Sequence, residues 1–229
     1  MTIVAAVIDA PPRKRPVPRR ANGRVPPPPP PAGGGDDSGG DPRPRRPILD
    51  NARLAVLFFI AAEVMFFAGL ISAYLVLRMG APVWPPPLQP RLPVLVTGLN
   101  TLVLLASSLA MVRAGRAGMR DDRAGLVCWL QVTAGLGAVF LLVQGYEWVR
   151  LIQFGLTLSS GAYGSTFYTL IGTHAAHVLA ALIWLAVTVV RAGRGRFADG
   201  RAAALRACAM YWHFVVGLWP ILYVTVYLL

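Results

Sequence analysis

From residue 53 onward the sequence is built of apolar runs of membrane length, and nothing else in it limits the fold as strongly. The runs cover roughly 53–77, 93–112, 125–148, 164–190 and 205–229. Each is about the 20 residues that a helix needs to cross a hydrocarbon core of about 30 Å. They are continuously apolar, show no polar alternation and are about twice as long as a barrel strand, so helices are expected and a β-barrel is not. The composition agrees: 55% hydrophobic residues, 14% charged and a mean hydropathy of +0.55 exceed the apolar share of a soluble domain. Small residues recur in "AAEVMFFAG", "GLGA", "AAHVLAA" and "RACAM", where backbones can approach closely. The fold class expected is all-α, a polytopic membrane bundle of five transmembrane helices over residues 48–229.

Residues 1–47 follow a different rule. "PPRKRPVPRRANGRVPPPPPPAGGGDDSGGDPRPRRP" has no apolar periodicity and is dense in proline, glycine and charge. Such a segment cannot bury enough surface to offset its ordering entropy, so a disordered Pro/Arg-rich cytoplasmic tail is expected there. The order of "MTIVAAVIDA" and the basic cluster is the reverse of a signal peptide, and the tail is expected to stay attached.

The net charge of +12 resembles a nucleic-acid signature until the basic residues are located. Ten Lys and Arg lie between residues 13 and 53, and the second and fourth inter-helix segments, "RAGRAGMRDDRA" and "RAGRGRFADGRAA", carry four arginines each. The first and third, "RMGAPVWPPPLQPRL" and "RLIQFGLTLSSGAY", carry two and one. This alternation is the positive-inside pattern. It predicts a cytoplasmic N-terminus, an outer C-terminus and basic groups facing anionic lipid, with no nucleic-acid partner. Cys128 and Cys208 lie inside apolar runs and are expected as small core residues. Trp84, Trp148 and Trp212 are expected at the membrane interfaces, and Pro220 is expected to kink the last helix.

The polar groups inside the spans are few. Only Glu63 and Glu147 among the ten acidic residues fall there, together with all three histidines, His174, His177 and His213. An ionisable group at a helix centre costs about 2.5–3.5 kcal/mol on insertion scales, so it is normally turned inward, paired or neutral. Glu63 lies ten residues past Arg53, about 15 Å along a helix and near the midplane. Glu147 lies near the outer end of the third run, within reach of water or Arg150. His174 and His177 share one helix face at a spacing of three. Their spacing leaves four readings open: haem held between the fourth and fifth helices with His213 opposing one of the pair, a hydrogen-bonded polar cluster that can include Glu63, separate bonds to backbone and hydroxyl groups across helix contacts, or a proton or ion pathway, for which the inner half of the first helix offers no further titratable group. Copper fits less well, because no Cys or Met stands at ligand spacing.

The segments "AEVMFFAGLISAY", "QGYEW", "GAYGSTFYTLIGTHAAHVLAALIW" and "MYWHFVVGLWPILYVTVYLL" occur in the order found in subunit III of haem-copper oxidases of the cytochrome c oxidase type. The chain resembles the short bacterial five-helix form of that family over residues 53–229. The resemblance implies an accessory subunit with no redox centre of its own, docked against oxidase subunits I and II, which hold the haem and copper. It implies a place in the inner cell membrane, support of proton uptake and oxygen access, and cytochrome c as a partner through the complex. Related chains accompany quinol oxidases and nitric oxide reductases, and the donor is not readable here.

Residue by residue, the resemblance places Glu63 at the carbodiimide-reactive carboxylate of the "SEVMFF"-type motif and Glu147 at the glutamate of the "EY/EW" motif. It places His174 and His177 on the "GxHxxHV" motif, and Trp212 with His213 on "YWHFVD". All of these then belong to an internal polar framework with no catalytic or metal role. Where the family has an aspartate after "HFV", this chain has Val216 followed by Gly217, and no role of that aspartate carries over. The helix pair that precedes the bundle in the longer form is missing, so structural lipid needs another subunit to supply its second wall.

Overall fold

The computed structural model describes residues 51–87, 89–194 and 201–229. The expected disordered tail lies outside the described residues. Five helices follow in order: α1 Asn51–Gly80, α2 Val94–Met119, α3 Arg123–Gln153, α4 Gly161–Gly193 and α5 Arg201–Tyr223, the last running into a π-turn at Val224–Leu228. All five are long and apolar enough to cross a membrane. Each begins or ends beyond its apolar run, because the arginine-bearing turns continue the helix while their long side chains carry the charge outward. The segment "RAGRAGMRDDRA" is therefore helix except for a tight reversal at Arg120–Asp122, where Asp121 adopts φ 56°.

The helix ends are closed by local chemistry. Asp122 caps α3, its Oδ1 accepting from the Gly125 N–H at 2.9 Å. Arg123, one residue on, donates from Nε to the Ala192 carbonyl at 3.3 Å and from Nη2 to that of Gly193. The start of α3 is thus pinned to the carbonyl end of α4, where a cation is favoured. At its other end α3 stops in a Schellman motif: Leu156 N–H bonds Leu151 O at 2.9 Å and Gly155 N–H bonds Ile152 O at 3.0 Å. Gly155 supplies the positive φ of 90° that this turn needs. Leu151 and Leu156, the apolar pair of the motif, are both buried.

Helices α2, α3, α4 and α5 pack around a common core, with α2 against α3 and α5, and α4 against α3 and α5. Trp212 and Trp219 of α5 are each only 1% exposed and fill its centre with Phe140, Phe167, Leu104 and Leu222. Trp212 is therefore a core ring, which corrects the expectation of an interfacial one. Gly137 of α3 makes room for it, since a Cβ there would collide with the indole. Trp84 lies in the α1–α2 connection, edge-on to Tyr74 of α1 and Tyr163 of α4 at 5.8 and 5.1 Å. Cys208 is buried as expected, but Cys128 points outward from α3.

Helix α1 stands apart from this arrangement. It packs on α4 and α5, and only 6% of its most apolar stretch is buried, against 22–44% in the other four helices. Pro220 is accommodated inside α5, and the regular ladder gives way to the π-turn four residues later. There the Thr225 hydroxyl donates back to the Ile221 carbonyl at 2.8 Å.

Candidate functional site

Helices α1 and α4 bring Glu63 and His177 together. Oε2 of Glu63 lies 2.9 Å from Nε2 of His177, and apart from this contact that oxygen has no hydrogen-bond partner among the described residues. The other ring nitrogen, Nδ1, is 2.7 Å from the Thr173 carbonyl. A carbonyl only accepts, so Nδ1 carries a proton. The link to Glu63 then holds one further proton, either on Nε2 as an imidazolium–carboxylate pair or on Oε2 as a neutral acid donating to imidazole. Both states have the same proton count and no net charge, which suits an apolar surround. Phe67 packs edge-on to His177 at 5.2 Å, and Phe66 lies on its other flank at 6.4 Å. The side chains remain 13% exposed for Glu63 and 21% for His177.

His174, one turn earlier on α4, does not join this pair. Its ring is fully buried and stacks on Trp219 at 5.0 Å, with Phe67 edge-on at 6.3 Å. Neither ring nitrogen has a partner among the described residues. Of the two partners expected for Glu147, water or Arg150, the structure places Arg150 beside it. Glu147 is 5% exposed and turned into the bundle, with Arg150 at 3.8 Å across one helical turn. One turn before it, Gln144 donates to the Tyr227 hydroxyl at 3.2 Å and so ties α3 to the π-turn.

His213 faces α2, where Ser108 Oγ lies 2.6 Å from its Nδ1. It belongs to a series of contacts along α2 that a survey of ionisable residues misses. Trp212 Nε1 donates to Ser107 Oγ at 3.3 Å, and Trp219 Nε1 donates to Thr101 Oγ1 at 2.8 Å. On the opposite flank Asn100 Nδ2 donates to the Phe140 carbonyl of α3 at 3.0 Å. The signal was present in the sequence as Thr97, Asn100, Thr101, Ser107 and Ser108, small polar residues that share one helical stripe with Leu104 and Met111 inside an apolar run.

The residues do not fit a haem between α4 and α5. A planar macrocycle needs a slot, and that interface is filled by Trp219 stacked on His174 and by Leu222, which is fully buried. His213 and His174 are engaged with different neighbours. Among the described residues no group of three or more His, Cys, Asp or Glu side chains is arranged to hold a metal ion.

The fold and site define a polytopic membrane bundle whose few polar groups join helices to one another. A family model described as "Cytochrome c oxidase subunit III" matches residues 45–229. "Cytochrome c oxidase subunit 3" of Synechocystis sp. is 36% identical over 181 residues, covering 79% of this chain and 76% of the relative. The protein of that name from Corynebacterium diphtheriae is 35% identical over 177 residues, covering 76% and 86%. That from Sus scrofa is 36% identical over 182 residues, covering 76% and 68%. The chain belongs to the cytochrome c oxidase subunit III family. It is an accessory, non-catalytic subunit of that oxidoreductase complex and a multi-pass membrane protein.

Proposed function

We propose that this chain docks in a bacterial inner membrane against oxidase subunits I and II, stabilises the catalytic subunit, and supports its proton uptake and oxygen access without touching electrons itself. The haem and copper belong to those partners, and cytochrome c is met only through the assembled complex. The N-terminus lies on the cytoplasmic side, as the arginine-rich α2–α3 and α4–α5 connections favour. Within the bundle Glu63 is a polar anchor that shares a proton with His177, and Glu147, His174 and His213 complete a framework without catalytic duty. Structural lipid is a further candidate partner along the outward surface of α1.

The observation that carries this reading is the Glu63–His177 contact across α1 and α4. It commits the most conspicuous carboxylate in the spans to a neighbour in the same chain, which suits a scaffold better than a ligand set. Purification of the native complex tests it. The chain is expected to copurify with a haem- and copper-bearing polypeptide and to be colourless when isolated; a Soret band on the isolated chain would overturn the proposal. Within the complex a hydrophobic carbodiimide is expected to modify Glu63, with Glu63→Gln as control, and equal labelling of the variant would remove the anchor assignment.

A further inference from the structure

The α1–α4 seam has an opening that its polar anchor does not account for. On the side of the bundle that carries the α3–α4 connection lies a groove of about 140 Å³, lined by Leu70, Ala73 and Tyr74 of α1 and by Ser165, Thr166, Thr169 and Leu170 of α4. A water needs about 10–15 Å³ of such space and two to four polar partners, so the groove has room for water and hydroxyl partners for one or two molecules. Four hydroxyls line it. Those of Ser165 and Thr166 donate to the Ala162 carbonyl, at 3.3 and 2.6 Å, so their oxygens turn lone pairs outward.

The hydroxyl-bearing residues continue toward the half-buried pair. Thr166, Thr169, Thr173 and His177 recur at spacings of three and four, which places them on one stripe of α4. Thr173 is the residue whose backbone carbonyl accepts the His177 Nδ1–H bond, so the stripe meets the pair through its backbone. Leu70 and Glu63 stand two turns apart on the facing helix, about 10 Å. The pair itself retains the partial exposure noted above.

We infer that the α1–α4 groove admits water from the α3–α4 side of the membrane and lets the Glu63–His177 pair exchange its shared proton with that aqueous phase. The exchange is balanced: one proton enters through the hydroxyl-lined water and one leaves, with the pair's charge unchanged. The groups that face the pair are few: His174 from α4, Tyr211 from α5, which packs on Phe59 at 5.6 Å, and at the far end of the groove Tyr74 with Arg78, bonded at 3.3 Å. Toward the opposite membrane side α1 offers no titratable residue between Glu63 and Arg53. The access inferred is from the α3–α4 side. The inference needs only the pair and the groove, not the accessory role proposed above.

Cysteine accessibility in the assembled complex, reconstituted in sealed vesicles, tests it. Ser159→Cys in the exposed α3–α4 connection reports which side the charged, membrane-impermeant thiol reagent has reached. Thr166→Cys and Thr169→Cys are the groove positions. Leu102→Cys is the control, eight residues into α2 as Thr169 is into α4, and it is 61% exposed on the apolar outside. Only a thiolate reacts, and a thiolate needs water. Modification, read from the mass of peptides of this chain, is expected at both groove positions an order of magnitude faster than at Leu102→Cys, and from the Ser159 side. Equal rates at Thr169→Cys and Leu102→Cys, as a groove filled by an acyl chain would give, overturn the inference. A second readout follows the proton itself. Infrared bands that vanish in Glu63→Gln are expected to shift in D₂O supplied from the Ser159 side, and an order of magnitude more slowly in Thr169→Leu; an unchanged rate in that variant also overturns it. Copurification of the chain with its complex is unaffected by either result.

Discussion

Glu63 and His177, 2.9 Å apart, form the one side-chain polar link between α1 and another helix among the described residues. The rest of the α1 attachment is apolar, through Phe67 and Tyr74, which are 1% and 2% exposed. Inside a membrane apolar packing has no hydrophobic driving force behind it, because lipid is as apolar as the partner helix. A single polar contact then weighs more in the placement of α1 than it would in a soluble bundle, and its geometry fixes both rotation and register of that helix.

Breaking the contact from either side therefore gives unequal effects. His177→Leu leaves a carboxyl group without its partner and is expected to loosen α1 more than Glu63→Gln, whose amide can still donate to the imidazole nitrogen. The coupling in a double-mutant cycle with Glu63→Leu and His177→Leu is expected at about 1–2 kcal/mol. Reversible unfolding of the complex in mild detergent measures it, and additive losses would show that the pair contributes packing alone.

The indole contacts on α2 give a second test. Trp219→Phe keeps the ring against His174 and removes the donor to Thr101, while Thr101→Val keeps volume and removes the acceptor. Thr101→Val is expected to cost about 0.6 kcal/mol, Trp219→Phe more because it also vacates core volume, and the pair together less than the sum. The same unfolding assay checks this, with near-UV circular dichroism of Thr101→Val showing that the Trp219 indole remains packed.

The five spans were legible because apolar runs of this length have one solution in a bilayer. Helix ends were less so, since arginines that end a hydropathy window do not end a helix. The ionisable residues drew notice by their cost, and the set containing Glu63 and His177 followed, but not which histidine would meet the carboxylate. Glu147 and Cys128 show why facing was obscure: a helix apolar nearly all round does not announce its inward stripe, so a carboxylate expected within reach of water or Arg150 is buried beside the arginine and a thiol expected in the core points out. Thr101, Ser107 and Ser108 were overlooked because a neutral hydroxyl in a helix can bond its own backbone at little cost, as Thr101 does to the Thr97 carbonyl at 2.8 Å.

The two cysteines separate inside from outside chemically. A maleimide is expected to label Cys128, exposed five residues into α3 from its arginine-bearing end where water reaches the thiol, and to leave Cys208, 2% exposed, unmodified in the folded subunit. Peptide mass analysis reads the ratio, and denaturation before labelling is expected to bring both to completion. Preferential labelling of Cys208 would contradict the orientation of α3 and α5.

Val216 offers the sharpest test of the core. It is 2% exposed beside Trp212 and Trp219 on the inward face of α5, while Gly217 next to it looks onto open space. An aspartate at 216 would enter a site packed for an isopropyl group and would bring an ionisable side chain away from water. Val216→Asp is expected to destabilise the subunit by at least about 2–3 kcal/mol, the cost of an intramembrane carboxyl without a partner. Val216→Ala, which removes volume alone, is expected to cost about half as much or less. Loss of the chain from the purified complex on mild heating measures both. Retention of Val216→Asp at the level of the parent would mean that the polar groups of α2 can turn to receive the carboxyl group, and that this position tolerates either chemistry.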